Sequence, residues 1–221
     1  MANATPSPAA RWGILSGGQG VRNLSHPLYL VRHGETEWNG VGRYQGLRDS
    51  PLTRRGRDQA AEIGRALSKQ VSTSNGPLRA YVSPLGRAQA TADIIEKSLH
   101  LDRTDDVRLR EISTGCWDGM SLYEIDIEYP GALDGSDRGD WYFRSPDGES
   151  LEAALARVRA WLQDVQTPAL AVTHGLTSRL IRGVWLGLGD AEMLDLPVPQ
   201  NGFFRLLEGR ADFIPCGQTK S

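Results

Sequence analysis

Cysteine is nearly absent from this 221-residue sequence, which has Cys116 and Cys216 and no others. The pair fits no CxxC pattern and supplies no disulfide framework, which favours a reducing compartment and excludes a small stapled scaffold. Long hydrophobic runs are missing as well. No apolar stretch approaches the roughly 18–20 residues of a membrane span, and the mean hydropathy is −0.39. Nor does one sign of charge dominate. The 25 Lys and Arg against 27 Asp and Glu leave a net charge of −2, which argues against bulk nucleic-acid binding and against an anionic membrane surface. Lysine is scarce, 3 residues against 22 arginines, a bias more readily ascribed to the base composition of the gene than to function. These absences leave a water-soluble globular chain, expected in the cytoplasm. It is long enough to bury about 70% of its unfolded surface without staples.

Residues 1–27 differ in composition from the rest of the chain. Pro6, Pro8 and Pro27 with Gly13, Gly17, Gly18 and Gly20 break any period, and no apolar h-region of a signal peptide is present. The first acidic residue is Glu35. A transit peptide is open on this composition, but a weakly ordered extension ahead of one domain over residues 28–221 is the better reading. There is no internal repeat and no low-complexity run.

Leu28-Tyr29-Leu30-Val31, Ala80-Tyr81-Val82 and Ala169-Leu170-Ala171-Val172 are short apolar runs of the kind buried strands show. Thr53 is placed to cap a helix in which Ala60, Ile63 and Leu67 share a face. Ser83-Pro84 offers an N-cap and a first helical residue for a second helix, with Ala88, Ala92, Ile95 and Leu99 on its apolar side. Leu151, Leu155, Val158, Leu162 and Val165 mark the clearest amphipathic helix, and Gly175 to Leu186 reads as another. Alternating strands and helices predict an α/β class, a mostly parallel central sheet between two helical layers. Residues 120–148, rich in Pro and Gly around Trp141-Tyr142-Phe143, read as an irregular lid insertion.

Ligands of open parallel sheets bind beyond the carboxyl ends of the strands. Three such ends carry Arg32-His33-Gly34-Glu35-Thr36, then Ser83 with Arg87 one turn later, then Thr173-His174-Gly175. Two histidines and two arginines meeting at one edge suit a tetrahedral anion, since arginine binds phosphate bidentately. A neutral imidazole there can attack phosphorus, and the neighbouring cations stabilise the equatorial oxygens. Such a site lacks the Asp/Glu/His cluster a divalent ion would need. A carboxyl group must still protonate the leaving oxygen. Each histidine taken singly reads as well as a satisfied interior residue, Arg87 as a solvated helix residue, and Asn39 as a turn residue. Trp38 and Trp117 read as core, and the two cysteines as inert.

Arg32-His33-Gly34-Glu35-Thr36-Glu37-Trp38-Asn39 resembles the signature of the histidine phosphatase superfamily, the phosphoglycerate-mutase-like family. The likeness continues through Gln45-Gly46, Pro51-Leu52-Thr53, Ser83-Pro84-Leu85-Gly86-Arg87-Ala88, Leu109-Arg110-Glu111, Gly115-Cys116-Trp117-Asp118-Gly119, Gly148-Glu149-Ser150 and Thr173-His174-Gly175. It implies a three-layer α/β/α phosphoglycerate-mutase-like fold, with His33 as the nucleophile that becomes phosphohistidine. It implies Arg32, Arg87 and His174 as the phosphate clamp, helped by Asn39 and the Gly175 amide. It implies Glu111 as acid and then base, with Glu35, Glu37 and Asp118 near enough in sequence to compete. Thr36, Gln45 and Gly46 match positions lining the substrate pocket. No metal and no organic cofactor is implied.

The resemblance leaves three functions open. The first is a histidine acid phosphatase-type phosphomonoesterase acting on small phosphorylated metabolites. The second is a phosphoglycerate mutase, an isomerase sharing the nucleophile. The third is a non-catalytic module binding phosphorylated ligands. Mutases of the family carry a Lys soon after the acid and a Trp-Arg-Arg run in the lid. Here those stretches read Gly119-Met120-Ser121-Leu122-Tyr123 and Trp141-Tyr142-Phe143, so the expectation is the hydrolase. Its expected partner is a small phosphorylated substrate, with neither nucleic acid nor membrane, and a homodimer is compatible with it.

Overall fold

The computed structural model describes residues 26–71, 77–136 and 139–217. The extension expected over residues 1–27 lies outside the described residues apart from His26 and Pro27, and so do residues 218–221. The chain runs β1 (Leu28–Arg32), α1 (Glu37–Gly40), α2 (Arg54–Gln70), β2 (Leu78–Val82), α3 (Gly86–Glu96), β3 (Leu101–Asp105) and α4 (Leu122–Glu128). It continues through α5 (Leu151–Asp164), β4 (Ala169–Thr173), α6 (Gly175–Leu186), α7 (Asp190–Leu194), β5 (Gly202–Leu207) and β6 (Arg210–Pro215). No helix among the described residues is long and apolar enough to cross a membrane.

The strands form one sheet in the order β3-β2-β4-β1-β5-β6. The pairings β2·β3, β2·β4 and β1·β4 are parallel, and β1·β5 and β5·β6 are antiparallel. Side chains alternate across a strand, so each central strand serves two cores. Leu28 and Leu30 of β1 and Ala169 and Ala171 of β4 pack on one face with Leu155, Val158 and Trp161 of α5 and Leu180 and Ile181 of α6. Tyr29, Val31, Leu170 and Val172 face the other way, onto Ile63 and Leu67 of α2 and Ala88, Ala92 and Ile95 of α3. The unbroken apolar runs of β1 and β4 are thus the mark of strands covered on both faces, which gives the expected three layers. Each large aliphatic side chain so buried contributes about 1.5–3 kcal/mol.

Thr53 caps α2 as expected, its hydroxyl accepting from the Gly56 amide. The cap expected at Ser83 is not there. Helix α3 begins two residues past Pro84, with Leu85 at the cap position and no side-chain bond of its own. Asp49 caps it from a distant loop, its carboxylate accepting from the Gly86 and Arg87 amides at 2.7 and 3.2 Å. The Ser83 hydroxyl accepts from the Leu85 amide at 3.3 Å, one residue short of the helix, and lies 2.7 Å from His174 Nε2.

Strands β3, β5 and β6 are not among the strands expected from the sequence, although the Phe-Phe-Arg-Leu-Leu of β5 is an apolar run; the signals of β3 and β6 are weak. The Leu-Asp-Arg-Thr-Asp of β3 lies at a sheet edge with Leu101 as its one buried residue. The stretch 120–148 is less irregular than its composition suggests. Ser121 and Glu124 form a reciprocal capping box that starts α4, and a 3-10 turn spans Asp140–Phe143. Trp117, Ile125 and Trp141 form a small core of their own there, with Tyr44 and Tyr142 packed against it.

Candidate active site

Backbone pairing brings three strand ends together. Arg32 stands opposite Thr173 in the β1·β4 register, the His33 amide donates to the Thr173 carbonyl at 2.9 Å, and the Ser83 amide donates to the Val172 carbonyl at 3.0 Å. The turn after β1 then runs against the start of α2 backbone to backbone. A Cβ on Gly34 would lie 2.3 Å from the Gly56 carbonyl oxygen, and one on Gly56 would lie 2.0 Å from that of Glu35. Neither position admits a side chain, so the glycine after His33 serves this close approach.

His33 is buried, and both ring nitrogens have partners that fix the tautomer. Nδ1 lies 2.8 Å from the Gly34 carbonyl oxygen, which only accepts. Arg87 Nε, which only donates, lies 3.2 Å from Nε2. The proton is therefore on Nδ1 and the lone pair on Nε2. Burial, and then the charges of Arg87 and Arg32, hold this imidazole well below its usual pKa, so it is neutral at neutral pH. His174 stands behind it, the ring centroids 5.2 Å apart. It is fully buried, and burial followed by Arg87 and His33 lowers its pKa well below the usual value too. It does not line the cavity, and its Nδ1 has no hydrogen-bond partner among the described residues.

The two arginines are held differently. Arg87 Nη1 donates to the Arg48 carbonyl at 2.6 Å and to Asp49 Oδ1 at 2.8 Å, and Nη2 donates to the Gly46 carbonyl at 2.9 Å. With Nε on His33, one of its five N–H groups is left over. Arg32 commits one of its five, from Nη1 to the Val198 carbonyl at 2.6 Å, and its buried Nε is unpartnered. Burial lowers the Arg32 pKa and the nearby Glu111 carboxylate raises it again, with a net fall. Unpaired donors on a buried guanidinium are costly unless a ligand takes them.

The cavity these groups line has a volume of about 240 Å³. Glu111 is the one carboxylate on its wall among the described residues. It reaches the first turn of α6, where Oε1 accepts from the Ile112 and Thr177 amides and the Thr177 hydroxyl at 3.0–3.1 Å, and Oε2 accepts from the Leu176 amide at 3.1 Å. Its rivals are engaged elsewhere. Glu35 pairs with Arg55 and accepts from the Thr53 hydroxyl. Asp118 accepts from Leu47 and Thr114, and Glu37 lies in α1 without lining the cavity.

Of the residues expected around the substrate, Asn39, Gln45, Gly46 and Gly175 line the cavity. Thr36 does not. It is fully buried, and its hydroxyl accepts from the Asn39 amide and from Gln45 Nε2, so it supports the wall from behind. Gly46 is a glycine of necessity, with φ at +49° and Asp118 Oδ1 only 1.6 Å from where a Cβ would sit. Sequence reasoning missed Arg43, Tyr44 and Arg179 on the wall and left open whether Tyr142 reaches it. Tyr142 stacks on Trp141 at 3.9 Å, and Tyr44 meets both rings edge-on. Arg43 is neutralised by two bonds to Glu124. Arg179 bonds through Nε to the Leu196 carbonyl at 2.6 Å and has no carboxylate partner among the described residues. Its spacing four residues after Gly175 on one helix face was the available signal. Among the described residues, no group of three or more His, Cys, Asp or Glu is arranged to hold a metal ion.

Comparison with known proteins agrees with this geometry. A sequence model of the histidine phosphatase superfamily (branch 1) matches residues 28–213. A protein of Salmonella arizonae named "Probable phosphoglycerate mutase GpmB" is 37% identical over 166 residues, 73% of this chain and 75% of that one. A mycobacterial glucosyl-3-phosphoglycerate phosphatase, solved with VO3, superposes with a TM-score of 0.71 at 28% identity, covering 87% of this chain and 100% of the other. The α-ribazole phosphatase of Shigella flexneri gives a TM-score of 0.72 at 28% identity, covering 87% and 96%.

Proposed function

The chain belongs to the histidine phosphatase superfamily, and from that premise we propose that it hydrolyses small phosphomonoesters through a phosphohistidine on His33. The observation that carries this reading is the pair of bonds on the His33 ring, which leaves Nε2 unprotonated with its lone pair met by the Arg87 Nε–H. In the first step Nε2 forms a bond to phosphorus and the bond from phosphorus to the ester oxygen breaks. Glu111, as the general acid, gives a proton to that oxygen, and the alcohol leaves. In the second step water attacks the phosphohistidine, the Glu111 carboxylate takes its proton, and orthophosphate departs with Nε2 restored. Charge on the phosphoryl oxygens is met by Arg32 and by the spare N–H of Arg87, with Asn39 and the Gly175 amide as neutral donors, while His174 backs the His33 ring from outside the cavity. The amides of Leu176 and Thr177 are taken by Glu111, whereas that of Gly175 is not needed by the helix. No step calls for a metal.

The leaving group would lie toward Tyr44, Tyr142 and Arg179. The apolar lid therefore does not make an apolar subsite, because Arg179 enters from α6. An alcohol bearing a hydrogen-bond acceptor or an anionic group suits that wall better than a hydrocarbon does. Release of orthophosphate from a panel of phosphomonoesters, with EDTA present, tests the reading. The phosphoenzyme separates it from the mutase its Salmonella relative is named for. A hydrolase discharges to water rapidly, while a mutase holds the phosphoryl group until a phosphoglycerate acceptor arrives. The absence of a Lys in Gly119–Tyr123 and of arginines in Trp141–Phe143 favours water. The unpaired cysteines, one exposed and one buried, fit a reducing cytoplasmic setting.

A further inference from the structure

Three arginines donate into three successive carbonyls of the segment between α7 and β5. Arg179 Nε bonds to Leu196, Arg182 Nη2 to Pro197 and Arg32 Nη1 to Val198, each at 2.6 Å. Arg182 is the unexpected member. It is 2% exposed, has no carboxylate partner among the described residues, and lies with its guanidinium 4.0 Å over the ring of Phe204. Its burial, with Arg179 beside it, brings its pKa down to about 9. A buried cation without a counterion destabilises a fold unless polar groups solvate it. Here the carbonyls of Ser178 and Pro197 do so, which ties the segment to the core.

Two residues further on, Gln200 crosses the end of β1. Its Nε2 donates to the His33 carbonyl at 3.1 Å and to Asn39 Oδ1 at 3.2 Å. The Thr36 amide donates to that same Asn39 oxygen at 3.2 Å. Two donors converging on one atom require it to be the oxygen, so Nδ2 is the atom Asn39 has left to offer a ligand. Asn39 lines the cavity, but nothing within its own α1 chooses between the two faces of its amide except Thr36.

We propose that residues 196–200 are a strap that sets the phosphate-binding groups, and that Gln200 is a positioning residue acting through Asn39. The proposal rests on the phosphate reading of the cavity. The strap fixes Arg32 from one side, through Val198, and Asn39 from the other, through Gln200. It thereby determines which of their N–H groups remain free for the anion.

Orthovanadate binding to the full-length protein tests this, measured on the wild type, Gln200→Met, Asn39→Ala and the double variant, with thermal unfolding of each. Gln200→Met should weaken vanadate binding about tenfold, as loss of one charge-assisted hydrogen bond does, with a melting temperature within about 3 °C of wild type. In the Asn39→Ala background the same substitution should change affinity less than about twofold, because its target is gone. Gln200→Leu should repeat the result. Unchanged vanadate affinity in Gln200→Met overturns the proposal, and so does a full loss that simply adds to that of Asn39→Ala. Failure of both Gln200 variants to fold overturns it as well, since the strap would then be a stability element. A wild type that does not bind vanadate removes the phosphate reading itself. Wild-type binding with no effect of Gln200 removes only the strap.

Discussion

Arg87 Nε donates to His33 Nε2 at 3.2 Å. A guanidinium does not give up its protons in a protein, so this contact alone requires an unprotonated Nε2. Asp49 holds the other end of the same guanidinium while capping α3 with the same carboxylate. The His33 Nε2 lone pair is thus aligned by a chain that starts in a loop, passes through a helix terminus and ends on the ring. In the phosphoryl transfer proposed for His33, a bond from Nε2 to phosphorus would free the Arg87 Nε–H to donate to a phosphoryl oxygen.

His33→Ala should abolish turnover, by at least about 10³-fold as expected for a covalent nucleophile, while circular dichroism and cooperative unfolding stay native. Labelled phosphate should no longer be trapped on the protein quenched and kept in alkali, where a phosphohistidine survives. Turnover within tenfold of wild type would remove His33 from the mechanism.

Glu111→Gln should separate leaving groups. In formation of the phosphoenzyme, alkyl phosphates should slow by about 10² to 10⁴-fold, the usual contribution of a general acid. p-Nitrophenyl phosphate, whose leaving group needs no proton, should slow far less. Rapid-quench measurement of the first step is required, since the second step loses its base as well. The same variant should lose about 1–3 kcal/mol of stability, because an amide nitrogen would face the Leu176 or Thr177 amide that the carboxylate now accepts from. Equal slowing for both esters would take the acid role from Glu111.

Stability should fall with acidification below about pH 6.5. Both buried histidines have folded pKa values well under the ordinary 6.5, and in the unfolded chain they titrate near it. Between the two values the unfolded state binds protons that the native state refuses, so unfolding becomes easier as pH drops. The stability is fully present above the unfolded value. Each histidine contributes a slope of up to about 1.4 kcal/mol per pH unit. Denaturant unfolding at pH 5, 6, 7 and 8 should show the fall, and His33→Asn should remove about half of the slope between pH 5 and 6. A flat profile from pH 8 to 5 would contradict the burial of the two neutral rings.

Arg179→Met should discriminate among leaving groups rather than disable the chemistry. KM for phosphomonoesters with an anionic leaving group should rise about tenfold, as loss of one charged contact does. For neutral alkyl phosphates it should change less than about threefold. Equal effects on both classes would show that Arg179 only braces the Leu196 carbonyl.

Much of the fold was legible because its causes are local. Thr53 caps α2 wherever that helix packs, the leucines and valines of α5 mark one face by spacing alone, and the unbroken apolar runs of β1 and β4 demand cover on both sides. The edge strand β3 was not legible, since a charged Leu-Asp-Arg-Thr-Asp has no periodic face to bury. The cap expected of Ser83 is supplied non-locally instead, because α3 begins only at Gly86 and Asp49, from a distant loop, takes the Gly86 and Arg87 amides.

The sequence by itself determined that polar residues of the right chemistry stand at the ends of three short apolar strands: Arg32 and His33, Ser83 with Arg87, and Thr173 with His174. Those placements need only the chain direction of a strand and the identity of the residue after it. Tertiary structure decided which strands are neighbours, and with that everything that depends on a hydrogen-bond partner far along the chain. Gln200 meets His33 across 167 positions and Arg87 meets it across 54. Arg87 on His33, Gln200 on Asn39 and Val198 on Arg32 choose the His33 tautomer, the face of the Asn39 amide and the N–H groups left free on Arg32. Hydrogen bonds act over about 3 Å, whereas propensity and periodicity act over a few residues of chain. The order β4-β1-β5 is what converts one kind of proximity into the other.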